Sequence, residues 1–350
     1  TDIGGFVKYR IVKDIQKKYL KNIVLEPGFR LQYYASMNAF VPEPRVQTKA
    51  GIREGLRWKA AAGIYTQNLF SATHEKDVIS LFPAILSGSN ELNIPQKVIT
   101  GDSQVRDVAF PLQKAYHIIS GFEIEPIQQI SLDIEGYYKN YPQIIELNRE
   151  KQFDDNAANI SEPDRLKKDF WIITGYSYGL DIMLTFKFLR VDGNVSYSYS
   201  YTRHFDDGLP YFPVFDRRHT FNVLTSLTLG RELDWVISAR WIFATGFPFT
   251  PTAGYYPLLT FSSPSADYIR QNEELKILLG STMSGRLPPY HRLDVSLSKV
   301  FAIGPDASIK TTISAINIYN QKNILYYDRR NNRVVYQLPF LLNFGVSFEY

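Results

Sequence analysis

The last eleven residues, 340–350, restrict this chain more than any other stretch. Phe340, Leu342, Phe344, Val346, Phe348 and Tyr350 share one parity, and Leu341, Asn343, Gly345, Ser347 and Glu349 share the other. Successive side chains of a strand point to opposite faces, so this is a strand with one wholly apolar face and one mixed face. A soluble sandwich strand shows the same alternation with its apolar face in a core. Here that face is rich in Phe and Tyr rather than Val and Ile, and the run ends on an aromatic, which fits a face turned to lipid.

Composition narrows the alternatives. The 350 residues are 45% hydrophobic and 15% aromatic. A soluble chain of this length ordinarily divides in two, yet no linker or charge run marks a boundary, so one domain over 1–350 is expected. No apolar run reaches the roughly 18 residues of a membrane helix, which excludes a helical membrane protein. Barrel strands escape that test because only alternate residues face lipid. With no cysteine, disulfides, thiolate metal sites and cysteine nucleophiles are excluded. The net charge of +4 is mild and Lys and Arg are scattered, so nucleic-acid binding has no support. Thr1-Asp2-Ile3-Gly4-Gly5 has neither the basic start nor the apolar core of a leader. The expectation is a removed leader or a start inside a longer protein.

The alternation recurs throughout. Val7, Tyr9 and Ile11 alternate with Lys8 and Arg10, and Leu25, Phe29, Leu31 and Tyr33 with Glu26, Gly28, Arg30 and Gln32. A short segment near 44–51 precedes Leu56, Trp58, Ala60, Ala62 and Ile64, which oppose Arg57, Lys59 and Gly63. The clearest run sets Val195, Tyr197, Tyr199 and Tyr201 against Asn194, Ser196, Ser198, Ser200 and Thr202. Similar runs fall near 116–125, 130–139, 178–186, 220–229, 235–243 and 292–301. A less regular one near 307–319 shifts its apolar parity around Ala315. The total is about thirteen strands of roughly ten residues, the length that crosses a bilayer at barrel tilt.

The connections discriminate better than the strands. Tight ones sit near 53–55, 126–129, 189–190, 230–232 and 303–306; long ones run near 69–113, 142–170, 203–218, 246–290 and 320–338. Strict alternation of tight and long is expected of a transmembrane antiparallel β-barrel with short periplasmic turns and long external loops. A soluble sandwich has no reason to put its long loops at one end. Counting back from a periplasmic C-terminus gives an odd strand number, whereas bacterial single-chain barrels have even counts. Each unpaired backbone group in hydrocarbon costs several kcal/mol, so an all-β wall completed by further chain is expected; a miscount by one strand would instead permit a small complete barrel.

Several motifs then acquire a family meaning. The spacing Asn343-x-Gly345-x-x-Phe348-x-Tyr350 resembles the terminal assembly signal of bacterial outer-membrane barrels, implying recognition by the barrel-assembly machinery. Pro42-Glu43-Pro44-Arg45, Lys114-Ala115-Tyr116-His117, Gly136-Tyr137-Tyr138-Lys139, Asp216-Arg217-Arg218-His219 and Pro289-Tyr290-His291-Arg292-Leu293-Asp294 follow in order. Together they resemble the C-terminal barrel half of TonB-dependent outer-membrane receptors over nearly the whole chain. The resemblance implies a barrel of about 22 strands of which this chain supplies the last thirteen or so, with the plug domain and first strands outside it. It also implies contact with outer-membrane lipid, and energised uptake of a bulky nutrient (metal chelate, vitamin, glycan or peptide) through a TonB-type partner. No bond is made or broken and no cofactor is required. A structural or docking barrel without transport, or an outer-membrane barrel enzyme, is the alternative.

Candidate binding residues lie mainly on the long loops, where function concentrates. Loop 246–290 carries Phe249, Tyr255, Tyr256 and Tyr268, aromatics suited to stacking on sugars or chelate rings, or to packing on neighbouring loops. Arg203 and Arg217, with Arg218, flank loop 203–218 and suit a carboxylate or phosphate; loop salt bridges and lipopolysaccharide phosphates compete for them. Arg240 belongs to the lumen row with Lys8, Arg10, Arg30, Arg57, Lys59 and Arg292, facing Glu26, Glu123, Asp133, Glu135, Asp181 and Asp294. Such a mixed row suits hydrogen bonds to a plug. His74, His117, His204, His219 and His291 are dispersed without metal-ligand spacing, and no catalytic triad order or phosphate loop is present.

Overall fold

The computed structural model describes residues 2–17, 19–72, 84–87, 96–108, 110–148, 150–257, 275–304, 307–328 and 333–350. Among them, thirteen antiparallel strands form one sheet in which each pairs with the next along the chain. The first six are β1 (Asp2–Lys8, resuming as Ile11–Lys17), β2 (Leu20–Tyr34), β3 (Ala39–Arg53), β4 (Leu56–Gln67), β5 (Gln113–Ile127) and β6 (Ile130–Leu147). The rest are β7 (Phe170–Lys187), β8 (Val191–Asp206), β9 (His219–Leu229), β10 (Trp235–Ala244), β11 (Tyr290–Ala302), β12 (Ser308–Ile316) and β13 (Leu341–Glu349). The two parts of β1 are one strand, since Lys8 opposite Gly28 and Ile11 opposite Leu25 keep one register.

Register assigns the faces. Val46, Ala62, Ile118, Tyr138, Tyr178 and Tyr201 lie side by side across six strands, so they share one face. Lys59, Gly121, Glu135, Asp181, Ser198, Thr220, Ala244 and Tyr290 share the other. The aromatic face is bare: Ile118 is 60% exposed and Phe344 65%. The molecule presents 22337 Å² of surface, against about 14,500 Å² expected for a compact soluble protein of 40.3 kDa. Among the described residues the Phe and Tyr rows do not meet inside a second layer. A single-layer wall with a greasy outside is the result.

The tight connections and the C-terminal end of β13 fall at one end of the sheet. Glu54-Gly55 joins β3 to β4, with Gly55 at φ +69 and its carbonyl accepting the Glu125 N–H; an added Cβ would strike the Glu125 carbonyl. Gly230 (φ +92) opens the β9–β10 turn. Pro305 and Asp306, placed in a tight turn by sequence, lie outside the described residues, as does His74. At the other end the connections are long, with one exception. β2 and β3 are joined by only 35–38, closed by Asn38 in the left-handed region, so the tight–long alternation is not strict there.

Two strands differ from their sequence reading. The segment near 44–51 is a full strand, Ala39–Arg53. Its Pro42 and Pro44 pair only with β2, because the β4 ladder begins at Arg45 opposite Gly63. Proline is tolerated where one ladder is missing, and the Glu43 carboxylate fills the gap by accepting the Thr66 N–H (2.8 Å) and hydroxyl (2.6 Å). The segment near 307–319 ends at Ile316, since Asn317 turns left-handed at φ 55. Its buried amide then bonds the Gln321 and Leu338 carbonyls to organise the next loop.

β6 and β7 run 18 residues each, beyond the roughly 9–11 that cross a bilayer. Their surplus lies at the loop end, where loops cover both faces. Phe170 and Ile172 pack with Phe70, Val98, Val108 and Ile145 on one side. Ile173 and Trp171 point the other way and pack with Tyr211 and Met283, a cluster that Phe212 also touches from beside Arg203. These two clusters are the buried apolar cores among the described residues.

Candidate ligand-binding mouth and lumen wall

The polar face of β1–β6 carries a charge ladder. Glu26 accepts from Lys8 and Arg10; Glu123 is held by Lys49 and Arg57, and Arg57 also reaches Glu125; Lys59 bridges Asp133 and Glu135. Five cations thus meet five carboxylates on one wall. Further round, Arg292 pairs with Asp294 at 2.8 Å. Arg240 stands opposite Asp294 in register but is exposed, and no ion pair among the described residues engages it. A cleft of about 400 Å³ opens on the ladder beside Arg10, Glu26, Lys49, Lys59 and Glu135.

The loop end is built on one buried carboxylate. Asp216, 1% exposed, accepts from Arg218 (2.5 Å), from Arg286 and from the Thr202 N–H (3.1 Å). Arg286 also donates to the Asp216 carbonyl at 3.1 Å and the Gly246 carbonyl at 3.3 Å. This ties loop 245–289 to loop 207–218 and to β8. Gly246 is glycine because a Cβ there would collide with the Leu287 carbonyl. Above the carboxylate, the Phe212 ring lies under three guanidinium groups: Arg203 at 4.1 Å, Arg218 at 4.6 Å and Arg286 at 5.1 Å.

Arg217 is different. It stacks on Phe247 at 3.8 Å and lies 5.9 Å from the Tyr290 ring, at the top of the polar row of β11. Among the described residues no carboxylate reaches it, and its buried Nε has no hydrogen-bond partner. Burial lowers its pKa from the ordinary arginine value, against a smaller opposing effect of Tyr290. Loop 148–169 is anchored by Arg165, which donates to Glu150 (2.8 Å) and Asp206 (2.6 Å) and stands 4.9 Å from the Trp171 ring. Burial works against that charge, yet its bonds to Asp206 and Glu150 raise its pKa. Glu146 receives Tyr211 Oη–H at 2.6 Å and faces His204 Nδ1 at 2.8 Å.

The structure therefore separates the residues that sequence grouped. Arg217 and Arg203 belong to the loop-end assembly, but Arg203 follows Tyr199 and Tyr201 on the aromatic face whereas Arg217 sits beside the polar-row Tyr290. Phe249 pairs with Gly285 in a two-residue ladder; Tyr255 and Tyr256 are exposed on the hairpin Thr252–Pro257 with Leu275–Leu279. Tyr268 lies outside the described residues. Arg240 stays on the wall, apart from the loop-end contacts. Asp216 and Arg286 are a pair that the sequence does not announce, since 70 residues separate them; an Asp set beside Arg217 and Arg218 is the one signal it offers. At the other end, Asn343 and Gly345 face β12 on the polar side and Phe348 on the apolar side, while Tyr350 is fully open.

An antiparallel wall with a bare aromatic face, a charged inner face and interlocked loops at one end defines the class: an outer-membrane-type β-barrel. Solved structures agree. The ferripyoverdine receptor of the outer membrane of Pseudomonas aeruginosa matches with TM-score 0.56 at 10% identity, over 99% of this chain and 38% of that one. The ferric enterobactin receptor of the same organism matches at 0.58 and 12%, over 99% and 44%. The outer membrane transporter YddB from Escherichia coli matches at 0.57 and 11%, over 98% and 45%. This chain thus has the fold of part of these receptor and transporter barrels and spans less than half of each. No family model and no curated protein matches the sequence.

Proposed function

We propose that this chain is wall and mouth of an outer-membrane receptor that takes up a bulky nutrient. The carrying observation is the joint placement of a bare aromatic face, a charged inner face and long loops interlocked at one end. The likeness to receptor and transporter barrels supports it. β1 and β13 each pair on one side among the described residues. In hydrocarbon those edges require partners, so the barrel is completed by further strands, and its lumen is filled by a plug seated on the Glu26–Glu135 ladder. Uptake is driven through a TonB-type coupling protein. The last strand, with Asn343, Gly345, Phe348 and Tyr350, carries the assembly signal and ends on the periplasmic side. Solute meets Arg217, Phe249, Tyr255 and Tyr256 at the mouth, with Arg240 below; the mouth binds and releases without chemistry.

The test is accumulation of candidate solutes by cells carrying the full-length protein, with and without a protonophore. Receptor function predicts binding that survives the protonophore and accumulation that does not. A protein that binds none of the chelates, vitamins, glycans or peptides offered is a scaffold; one that hydrolyses lipid or peptide is an enzyme.

A further inference from the structure

We infer that the aromatic face of β8, at its loop end, seats the phosphate of a lipid headgroup on Arg203, with Phe212 and Arg218 completing the seat. Register puts Arg203 in the cross-strand row of Tyr116, Asn140 and Tyr176, next to the row of Ile118, Tyr138, Tyr178 and Tyr201. Both rows lie on the lipid-facing side. Tyr176, Tyr178 and Tyr201 stack on one another with centroids 5.1–6.3 Å apart. Stacked tyrosines on the outside of a barrel mark the membrane–water interface. Arg203 is two residues beyond Tyr201, about 7 Å further along the strand, at the depth of headgroups rather than acyl chains.

Charge supports the same partner. Arg203, Arg218 and Arg286 all face the Phe212 ring. Asp216 is the carboxylate that engages two of them, and among the described residues no carboxylate pairs with Arg203. The group therefore carries an excess of two positive charges, on the side of the wall where a soluble ligand would have to pass lipid to arrive. Arg218 stacks on Tyr201 at 4.2 Å, which holds it against this face. A guanidinium held flat over a ring keeps its N–H edge free for phosphate oxygens. The seat is on the opposite face from Arg217 and does not depend on which solute, if any, the mouth takes.

The experiment uses the purified full-length protein in neutral detergent and native mass spectrometry. Three probes are compared: a bis-phosphorylated acylated diglucosamine, its dephosphorylated counterpart, and inorganic phosphate. Expected is retention of the phosphorylated lipid over the dephosphorylated one by about fivefold or more. R203Q removes that preference and R203K keeps part of it. Because R203Q could misfold, heat-modifiable gel migration checks the barrel, and F212L serves as a second variant expected to weaken the preference. Equal retention of both lipids, or a preference unchanged in R203Q, overturns the inference. Displacement of the lipid by millimolar inorganic phosphate also overturns it, marking a site for a free anion. Loss of solute accumulation with the lipid preference intact would sink the receptor reading and leave this one standing.

Discussion

The wall and the mouth handle charge in opposite ways. On the wall, Lys8, Arg10, Lys49, Arg57 and Lys59 are matched by Glu26, Glu123, Glu125, Asp133 and Glu135, between neighbouring strands. At the mouth, Arg203, Arg217, Arg218 and Arg286 gather around Asp216 and two phenyl rings. Wall pairs are partly exposed, where ion pairs contribute about 0–1 kcal/mol each; the Asp216 carboxylate is buried, where loss of a partner is severe. The ladder neutralises itself and suits a neutral or finely matched surface. The mouth keeps positive charge in excess, and its one buried acid locks two loops together.

This contrast is open to attack, and the largest effect is expected at the lock. Asp216→Ala removes the buried carboxylate that Arg218, Arg286 and the Thr202 N–H share, and the loss of these charge-assisted bonds costs about 3 kcal/mol of local stability. Limited proteolysis will show loop 245–289 cut far faster while the wall stays intact. Glu43→Ala comes next: the Thr66 N–H loses its acceptor where Pro42 and Pro44 sit, costing about 1–3 kcal/mol in urea unfolding. Third, Arg217→Ala removes a half-buried cation that no acid compensates, so stability is unchanged or slightly higher while solute affinity falls about tenfold, or 1.4 kcal/mol. Equilibrium binding beside thermal unfolding separates the two.

Smaller still is Lys59→Met, which frees Asp133 and Glu135 from a shared, partly exposed partner and costs under about 1 kcal/mol. A double-mutant cycle with Glu135→Gln measures it. The least is a pH effect in loop 148–169. A hydrogen bond from Lys168 lowers the pKa of the exposed Asp155 carboxyl. A depressed acid stabilises above its unfolded value and loses that contribution as pH falls through the folded one. The loop therefore loosens only below about pH 4, read by amide exchange across 150–169.

Most of the wall could be read from the chain because period-2 alternation is local: Tyr197, Tyr199 and Tyr201 against Ser196, Ser198 and Ser200 need no knowledge of neighbours. The strand count and the end that carries the tight turns followed from the same signal. β3 reads short because two prolines mark a strand as edge-like, and only the register shows that its ladder to β4 stops at Arg45 opposite Gly63 while β4 runs on beside β5. The mouth was legible as composition but not as arrangement. Arg203 and Arg217 look alike in a loop of charges; which face each takes depends on β8 running on to Asp206 and on loop 207–218 folding back along it. The Arg286–Asp216 bond spans 70 residues and leaves no periodic trace.

These 350 residues contain no cysteine, so labels placed in them test the central claim directly. Single cysteines at Ile118, Tyr138, Leu297 and Phe344, and at Ser196, Glu135, Ser296 and Asn343 on the alternate rows, are spin-labelled in the membrane-embedded full-length protein and relaxed by oxygen or a water-soluble nickel chelate. The account predicts oxygen-dominated relaxation in the first set and nickel-dominated relaxation in the second, alternating residue by residue. Labels of the first set shielded from both agents would mean that the aromatic rows face each other inside, and would contradict it.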